Sequence, residues 1–413
     1  MESKENIMAK KKKNKVVRLS LVALIFGLLI GLGGSIGITT LTYDEKQNEI
    51  VNKNNSKPST TNNGVKYDDL QIHFLELGNK YAGDCTYIKA NDIDILIDAG
   101  SRADSIDDIM NYINIYCTDG KLEYVIATHG HQDHIAALVG NASSTYPGGR
   151  DGIMNQYKID NFIYFALTNN NGKLIQNFNS NVDYLKSTGT KCITAKDAYN
   201  LDKSYDLGTD MTLNILYNKY YFEHSSDENN YSVISMLSYK DHHFLFTGDL
   251  EKEGEEAFAS YYSSNPLPTN FELFKGGHHG SKTSSNDCLL DLIQPQKCAV
   301  CCCAGSTEYT KNRVNTFPTQ AFINRIANYT DEVYITSMWN EEKEEFQSMN
   351  GNITISSNGN EIGLAASNNL LKLKDTEWFS HIVYVNDKDQ IVDKGTPGAK
   401  EVPCRELPEK WKK

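Results

Sequence analysis

The sequence predicts an α/β fold in which strands dominate and helices are interspersed. From Leu70 onward, short apolar runs alternate with clusters of Gly, Asn and Asp, the punctuation expected between strands. Two segments carry helical rather than alternating spacing. No fixed-period repeat and no second linker occur before residue 368, so the body reads as one domain of roughly 300 residues.

In order, the predicted strands are LQIHFLELG, CTYIKA and IDILIDAG, then a helix over SIDDIMNYINIY and a strand at LEYVIAT. Further strands are NFIYFAL, MTLNILY, SVISMLSY, HHFLFTGD, CAVCCCAG, EVYITSM and NITISS, and PTQAFINRIANY has the spacing of a helix. The segment 369–413 reads as a C-terminal extension that adds a small hairpin at HIVYVNDKDQIVDKG.

A chain of 413 residues, 39% apolar with mixed charge, is globular and not disordered throughout. Its net charge of −12 hides an asymmetry: residues 1–43 hold seven Lys/Arg against two Glu, which leaves 34 basic and 51 acidic residues, a net −17, for the rest. That acidic body argues against a passive nucleic-acid binder, which needs basic surface to displace counterions from phosphates. It does not argue against metal-dependent phosphate chemistry, since bound cations supply positive charge locally. The nine cysteines are odd in number and include a single C-x-x-C, Cys298 with Cys301, so neither a disulfide framework nor a zinc ribbon is expected. Residues of KCAVCCCAG alternate between faces of a buried strand, where free Cys packs as a small hydrophobe.

Residues 1–18 form a basic tail, and no charge follows from Leu19 to Tyr43. Those 25 residues would span about 38 Å as a helix, enough to cross a bilayer. Lys10 to Lys13, Lys15 and Arg18 precede the span, and Asp44 and Glu45 follow it, so the positive-inside rule places the body outside the cytoplasm on a single-pass anchor over 19–43. Residues 44–66 are polar, contain Pro58 and read as a flexible linker to a domain over 67–368.

The densest chemical signal is THGHQDH. His129, His131, Asp133 and His134 lie within six residues at the end of an apolar strand, and imidazole nitrogen and carboxylate oxygen are the donors that zinc accepts. Four donors at this spacing suit two ions better than one. Further donors recur at strand ends downstream, Asp249 in FLFTGDLE and the pair His278 and His279 in FKGGHHGSKTSS.

Taken together, HxHxDH, TGD and GHHGS over residues 68–365 resemble the metallo-β-lactamase fold, and in particular the extracytoplasmic hydrolase domain of ComEC-type competence proteins. Gly83 with Asp84 matches that family's G-D step, Asp98 its D-A-G turn, and ENNYSVISML its Asn/Asp-x-Ser segment. The resemblance implies an αββα sandwich with two divalent metal ions, zinc or else manganese. It implies that His129 and His131 hold one ion, that Asp133, His134 and one of the twin histidines hold the other, and that Asp249 bridges them. His279 is taken as the ligand and His278 as a contact to substrate or leaving group; the reverse assignment stays open. Asp133 would orient the nucleophile, with Ser281 or Lys282 near the developing charge. His224, 25 residues before Asp249, is a minor ligand candidate whose ordinary reading is a surface loop residue. One departure stands out: where the family commonly has G-H-P, this chain has Phe317 before Pro318.

The implied function is a membrane-anchored, extracytoplasmic metallohydrolase acting on a phosphodiester of DNA or of the cell envelope. Two other readings stand beside it, hydrolysis of an ester or lactam, and an inactive membrane-tethered binding module. Nucleic acid is the weaker partner, because Lys219 and the tyrosines of ILYNKYYFEH read as core as readily as a stacking surface. An alkaline phosphatase reporter fused after Lys413 should be active only outside the cytoplasm; an active cytoplasmic reporter at that position would reverse the topology.

Overall fold

The computed structural model describes residues 69–141, 151–269, 271–340, 343 and 345–412. The anchor and linker expected over 19–43 and 44–66 lie outside the described residues. Among those described, no helix is long and apolar enough to cross a membrane.

The chain first lays down β1 (Leu70–Phe74), β2 (Thr86–Ala90), β3 (Ile93–Ile97), α1 (Ile106–Ile113), β4 (Lys121–Ala127), α2 (Gln132–Val139), β5 (Lys158–Tyr164), α3 (Lys173–Ser187), β6 (Lys191–Thr194) and α4 (Ala195–Asp202). There follow β7 (Ser204–Asp206), β8 (Met211–Ile215), β9 (Ser235–Tyr239), β10 (His242–Phe246), α5 (Lys252–Ser264), β11 (Leu273–Lys275), α6 (Asp287–Ile293), β12 (Cys298–Ala304), α7 (Gln320–Ile326), β13 (Val333–Asn340) and β14 (Glu345–Ser348). Then β15 (Ile353–Ser357) and β16 (Ile362–Ala366) return to the first sheet, and β17 (Ile382–Val385), β18 (Ile391–Val392) and β19 (Lys400–Pro403) make a third, small sheet.

The two large sheets run β16-β15-β1-β2-β3-β4-β5-β6 and β14-β13-β12-β11-β10-β9-β8-β7. Each is mixed. In the first, β3, β4, β5 and β6 are parallel, and in the second β10, β11, β12 and β13 are parallel.

Period-two patterning assigns each strand face to a layer. Along β3, Ile95 and Ile97 enter the core between the sheets, whereas Leu96 joins the outer core with Ile109 of α1 and Phe178, Val182 and Leu185 of α3. On β12, Ala299 and Cys301 face between the sheets, and Cys298, Val300, Cys302 and Ala304 face the opposite outer core with Phe258, Leu290 and Phe322 of α5, α6 and α7. The layer order is therefore helices, sheet, sheet, helices. The cysteine-rich run is a buried strand, and all nine cysteines are free.

The extension after residue 368 is more than a hairpin. Its strands form a three-stranded sheet, and Leu373, Trp378, Val383 and Trp411 sink into the outer core of the second sheet. At the HxHxDH motif, α2 starts at Gln132, with His131 as its N-cap, so Asp133 and His134 occupy its first turn.

The DAG turn after β3 packs against that first turn, backbone on backbone. Ala99 donates to the His134 carbonyl at 2.8 Å and Asp84 donates to the Asp133 carbonyl at 3.0 Å. A Cβ on Gly100 would fall 1.7 Å from the Asp133 oxygen, a contact that only glycine avoids. Gly100→Ala is expected to cost about 3 kcal/mol or more by forcing these two segments apart. The check is the urea midpoint of the metal-free protein; an unchanged midpoint would show that the turn can yield.

Candidate metal centre

The sequence-predicted donors converge at one rim of the sandwich, at the carboxyl ends of parallel strands. Asp98 follows β3, the His129–His134 segment follows β4, Asp249 follows β10, and His278 with His279 follows β11. Parallel neighbours end on the same side, and for that reason residues as distant in sequence as Asp98 and His279 share a site.

Asp133, His134, Asp249 and His279 each offer a donor atom, and these atoms all lie within 4.8 Å of one another. His134 Nε2 is 3.0 Å from Asp249 Oδ2, and His279 Nε2 is 3.3 Å from Asp133 Oδ2 and 3.5 Å from Asp249 Oδ2. His129 and His131 fall outside this group and form a pair of their own, Nε2 to Nδ1 at 3.0 Å, with the His129 ring 4.1 Å from that of His134. His278 also stands outside it, its Nε2 3.8 Å from Asp249. His224 is exposed and belongs to no such group among the described residues. Ser281 is buried with its hydroxyl against Thr283, and Lys282 is exposed.

Three of the imidazoles, those of His134, His279 and His278, are aimed by partners on Nδ1. His134 Nδ1 meets Asp98 Oδ2 at 2.7 Å, while Asp98 also accepts from the Thr128 amide and hydroxyl, both at 2.7 Å. His279 Nδ1 lies 2.9 Å from the Cys301 carbonyl and 3.3 Å from Asp84 Oδ1. His278 Nδ1 lies 3.1 Å from Glu251, which also accepts from Thr283 at 2.8 Å. Such partners fix ring orientation and tautomer in metal sites. Three of these four partners are carboxylates. Ser232, from the ENNYSV segment, accepts from the Asp249 amide at 3.1 Å and lies 3.4 Å from His129 Nδ1.

Several contributors escaped the sequence reading. Lys275, in FKGG, is buried and ion-pairs with Asp84, 3.8 Å from Asp249. Glu228 accepts from the Gly130 amide at 3.2 Å, the Thr168 hydroxyl at 2.6 Å and the Asn169 amide at 2.6 Å, which ties down the backbone between His129 and His131. Both stand beside flagged motifs, but a buried Lys or Glu has no sequence pattern that separates it from a surface one.

The twin histidines adopt left-handed backbone, φ 46° and ψ 52° for His278, φ 53° and ψ 22° for His279. Non-glycine residues there cost on the order of 1–3 kcal/mol each, a strain that concentrates at functional sites. The electrostatics are as uneven. Burial opposes charge on His134, but Asp249 and Asp98 on either side hold its pKa well above the usual histidine value. Burial likewise opposes charge on His279, and Asp249 with Asp84 overcomes it, pushing the pKa up to about 10. Burial would raise Asp249 and Asp84, yet the neighbouring imidazoles, and for Asp84 chiefly Lys275, hold both below the ordinary carboxylate range. His129 is pushed far down by burial, with His134 adding to it.

A cation fits this donor set. Asp249 Oδ1 is buried without a hydrogen bond, so the site holds a polar atom that the described residues leave unsatisfied. Oxygen and imidazole nitrogen in this mixture suit zinc, iron or manganese.

A family model described as the metallo-beta-lactamase superfamily matches residues 78–144, which takes in His129, His131, Asp133 and His134 but not Asp249 or the twin histidines. No curated protein matches the chain. Among solved structures it is similar to the metallo-beta-lactamase fold protein YhfI from Bacillus subtilis, at 11% identity over 65% of this chain and 96% of that one, TM-score 0.35. It is also similar to CmlA, a diiron beta-hydroxylase from Streptomyces venezuelae, at 11% identity over 57% of this chain and 45% of that one, TM-score 0.34. A third is a motif mutant of a metallo-beta-lactamase from Cronobacter sakazakii, at 14% identity over 43% and 60%, TM-score 0.25. The family match and the layer order support the metallo-β-lactamase superfamily fold.

Two outcomes follow for the metal-free protein. The raised pKa of His279 contributes stability that is complete below about pH 6.5 and is lost as pH climbs through about 10, whereas the lowered carboxyls contribute stability that is lost as pH falls below about 4. Its melting temperature should therefore fall as pH rises from about 6.5 towards 10, and a maximum at pH 9 would contradict the charge assignment. Asp98→Asn, which keeps shape but removes the charge behind His134, should weaken zinc binding by about 10–100-fold in competition titration against a chelator.

Proposed function

We propose that this chain is a dinuclear metal-dependent hydrolase of phosphodiesters, membrane-anchored and extracytoplasmic. The observation that carries the reading is the gathering of Asp133, His134, Asp249 and His279 around a common point, beside the His129–His131 pair. In this reading His129 and His131 would hold one ion, Asp133, His134 and His279 would hold the other, and Asp249 would be shared between them. Bound divalent cations supply Lewis acidity and lower the pKa of water to near neutrality.

The protein groups do the rest. Asp133 is the member of the four that keeps a solvent-facing side, 28% exposed, so its carboxylate orients an incoming water by accepting a hydrogen bond from it. His278, held from behind by Glu251, turns Nε2 toward Asp249 and donates a hydrogen bond to the leaving oxygen. Glu251 serves this as an anion: burial works against its charge, but hydrogen bonds from His278 and Thr283 hold its pKa at about 2. The likeness of the TGD and GHHGS motifs to ComEC-type hydrolase domains favours a phosphoester over an ester or lactam. The acidic body favours a small or uncharged-flanked phosphodiester over long nucleic acid, and Tyr220 and Tyr221 being buried removes much of the candidate stacking surface.

Zinc- or manganese-loaded full-length protein should bind about two ions per chain and hydrolyse bis-p-nitrophenyl phosphate, and His131→Ala should lower kcat/KM by more than about a hundredfold. Stoichiometric metal without hydrolysis of any phosphodiester would remove the substrate assignment. Absence of metal would remove the enzyme.

A further inference from the structure

Phe317 stands where the resemblance led to a histidine, and the structure shows what it does there. It lies in the segment from Gly305 to Thr319 that connects β12 to α7, and its ring is 5.7 Å from His278 and 5.6 Å from His279. Tyr309 stacks on the outer side of Phe317 at 5.1 Å and 25°, with 67% of its own surface exposed. The same segment backs the strained histidine turn. The Thr319 amide and hydroxyl donate to the Gly280 carbonyl at 2.8 and 3.1 Å. Gly280 sits at φ +81°, and a Cβ there would come 2.6 Å from that of Pro318.

What holds this segment comes from the far end of the chain. Arg405, only 2% exposed, donates through Nε to the Pro318 carbonyl at 2.9 Å, through Nη2 to the Thr316 carbonyl and to the Thr316 hydroxyl at 2.8 Å, and through Nη1 to the Cys404 carbonyl at 2.6 Å. Among the described residues no carboxylate lies within ion-pairing distance of it. Burying a guanidinium against neutral oxygens is costly, and an apolar side chain would fill the space more cheaply if packing were all that mattered. The fork geometry instead fixes several backbone oxygens at once. A second tie is nearer the surface: Arg313 meets Asp389 at 3.0 Å, and the Ile391 amide donates to the Lys311 carbonyl at 2.7 Å.

We propose that Arg405 is a positioning residue of the candidate site: from the C-terminal extension it fixes the Thr316–Thr319 segment that backs the His278–His279 turn, and so holds Phe317 and Tyr309 as an aromatic wall beside His278 against which a planar group of the substrate packs. The positioning stands on geometry alone. The substrate contact rests on the hydrolase reading.

Two experiments on the full-length chain separate them. In metal-free protein, hydrogen exchange read by mass spectrometry should quicken by about tenfold or more in peptides covering 276–282 and 305–319 of Arg405→Met, with peptides covering 131–140 unchanged. Arg405→Lys, which retains the charge without the fork, should recover part of that protection, and Arg313→Ala should loosen 305–319 alone. Uniform acceleration throughout the chain, or acceleration confined to 400–412, overturns the proposal as a merely structural effect. Should Arg405→Met fail to fold, the Lys and Arg313 variants carry the same test. With metal bound, Arg405→Met and Tyr309→Leu should raise KM for methyl p-nitrophenyl phosphate, whose planar group leaves beside His278, by about fivefold while changing the inhibition constant of dimethyl phosphate, which has no planar group, less than about twofold. Equal changes for both esters overturn the wall. If the wild type does not cleave methyl p-nitrophenyl phosphate, the hydrolase reading falls and the exchange pattern alone decides the positioning.

Discussion

The imidazole of His134 is the point at which the two halves of the molecule are joined chemically. One nitrogen meets Asp98, which ends β3 of the first sheet, and the other meets Asp249, which ends β10 of the second. Both carboxylates and the ring are almost wholly buried. Charged groups so placed are tolerable only when paired and hydrogen-bonded, so each sheet is held in register with its neighbour by the need to keep that ring satisfied. Lys275 repeats the arrangement, reaching from β11 to Asp84 beside the first sheet. The rim where the parallel strands end is thus both the seam of the fold and the place where its chemistry collects.

That seam carries more acid than the fold needs. Asp84, Asp98 and Asp249 are buried together, against Lys275 and imidazoles that are forced to take up protons. Divalent cations would take over the neutralising role from those protons, leaving the imidazoles free as neutral donors, so metal affinity is coupled to proton release. The strain stored in the two left-handed histidines fits the same economy: it is tolerated because the surrounding packing, including the segment that carries Phe317, leaves that turn no alternative.

Much of the fold was legible because its strands alternate cleanly, as the split of Ile95, Leu96 and Ile97 between two cores shows. What escaped had weak local signals. Helix α3 is rich in asparagine, at Asn177, Asn179 and Asn181, which lowers helix propensity and conceals the stripe of Ile175, Phe178, Val182 and Leu185 that packs it onto the sheet. The strand β11 has three residues, too few for any periodicity. At the site, the donors clustered in motifs were visible because they crowd together in the chain. Lys275, Glu228 and Arg405 were not, since what distinguishes them is burial, a property of the folded molecule and not of their neighbours in sequence.

The position of β1 has a consequence for how the polypeptide comes to be built. Although it is the first described strand, it lies inside its sheet, flanked by β2 on one side and by β15, some 280 residues downstream, on the other (Leu70 pairs with Ser357). During synthesis at a ribosome its outer edge therefore stays unsatisfied until nearly the whole body has emerged, and sheet closure must come late. A nascent chain of this design keeps a strand edge open for longer than one whose sheets are completed in the order in which they are translated.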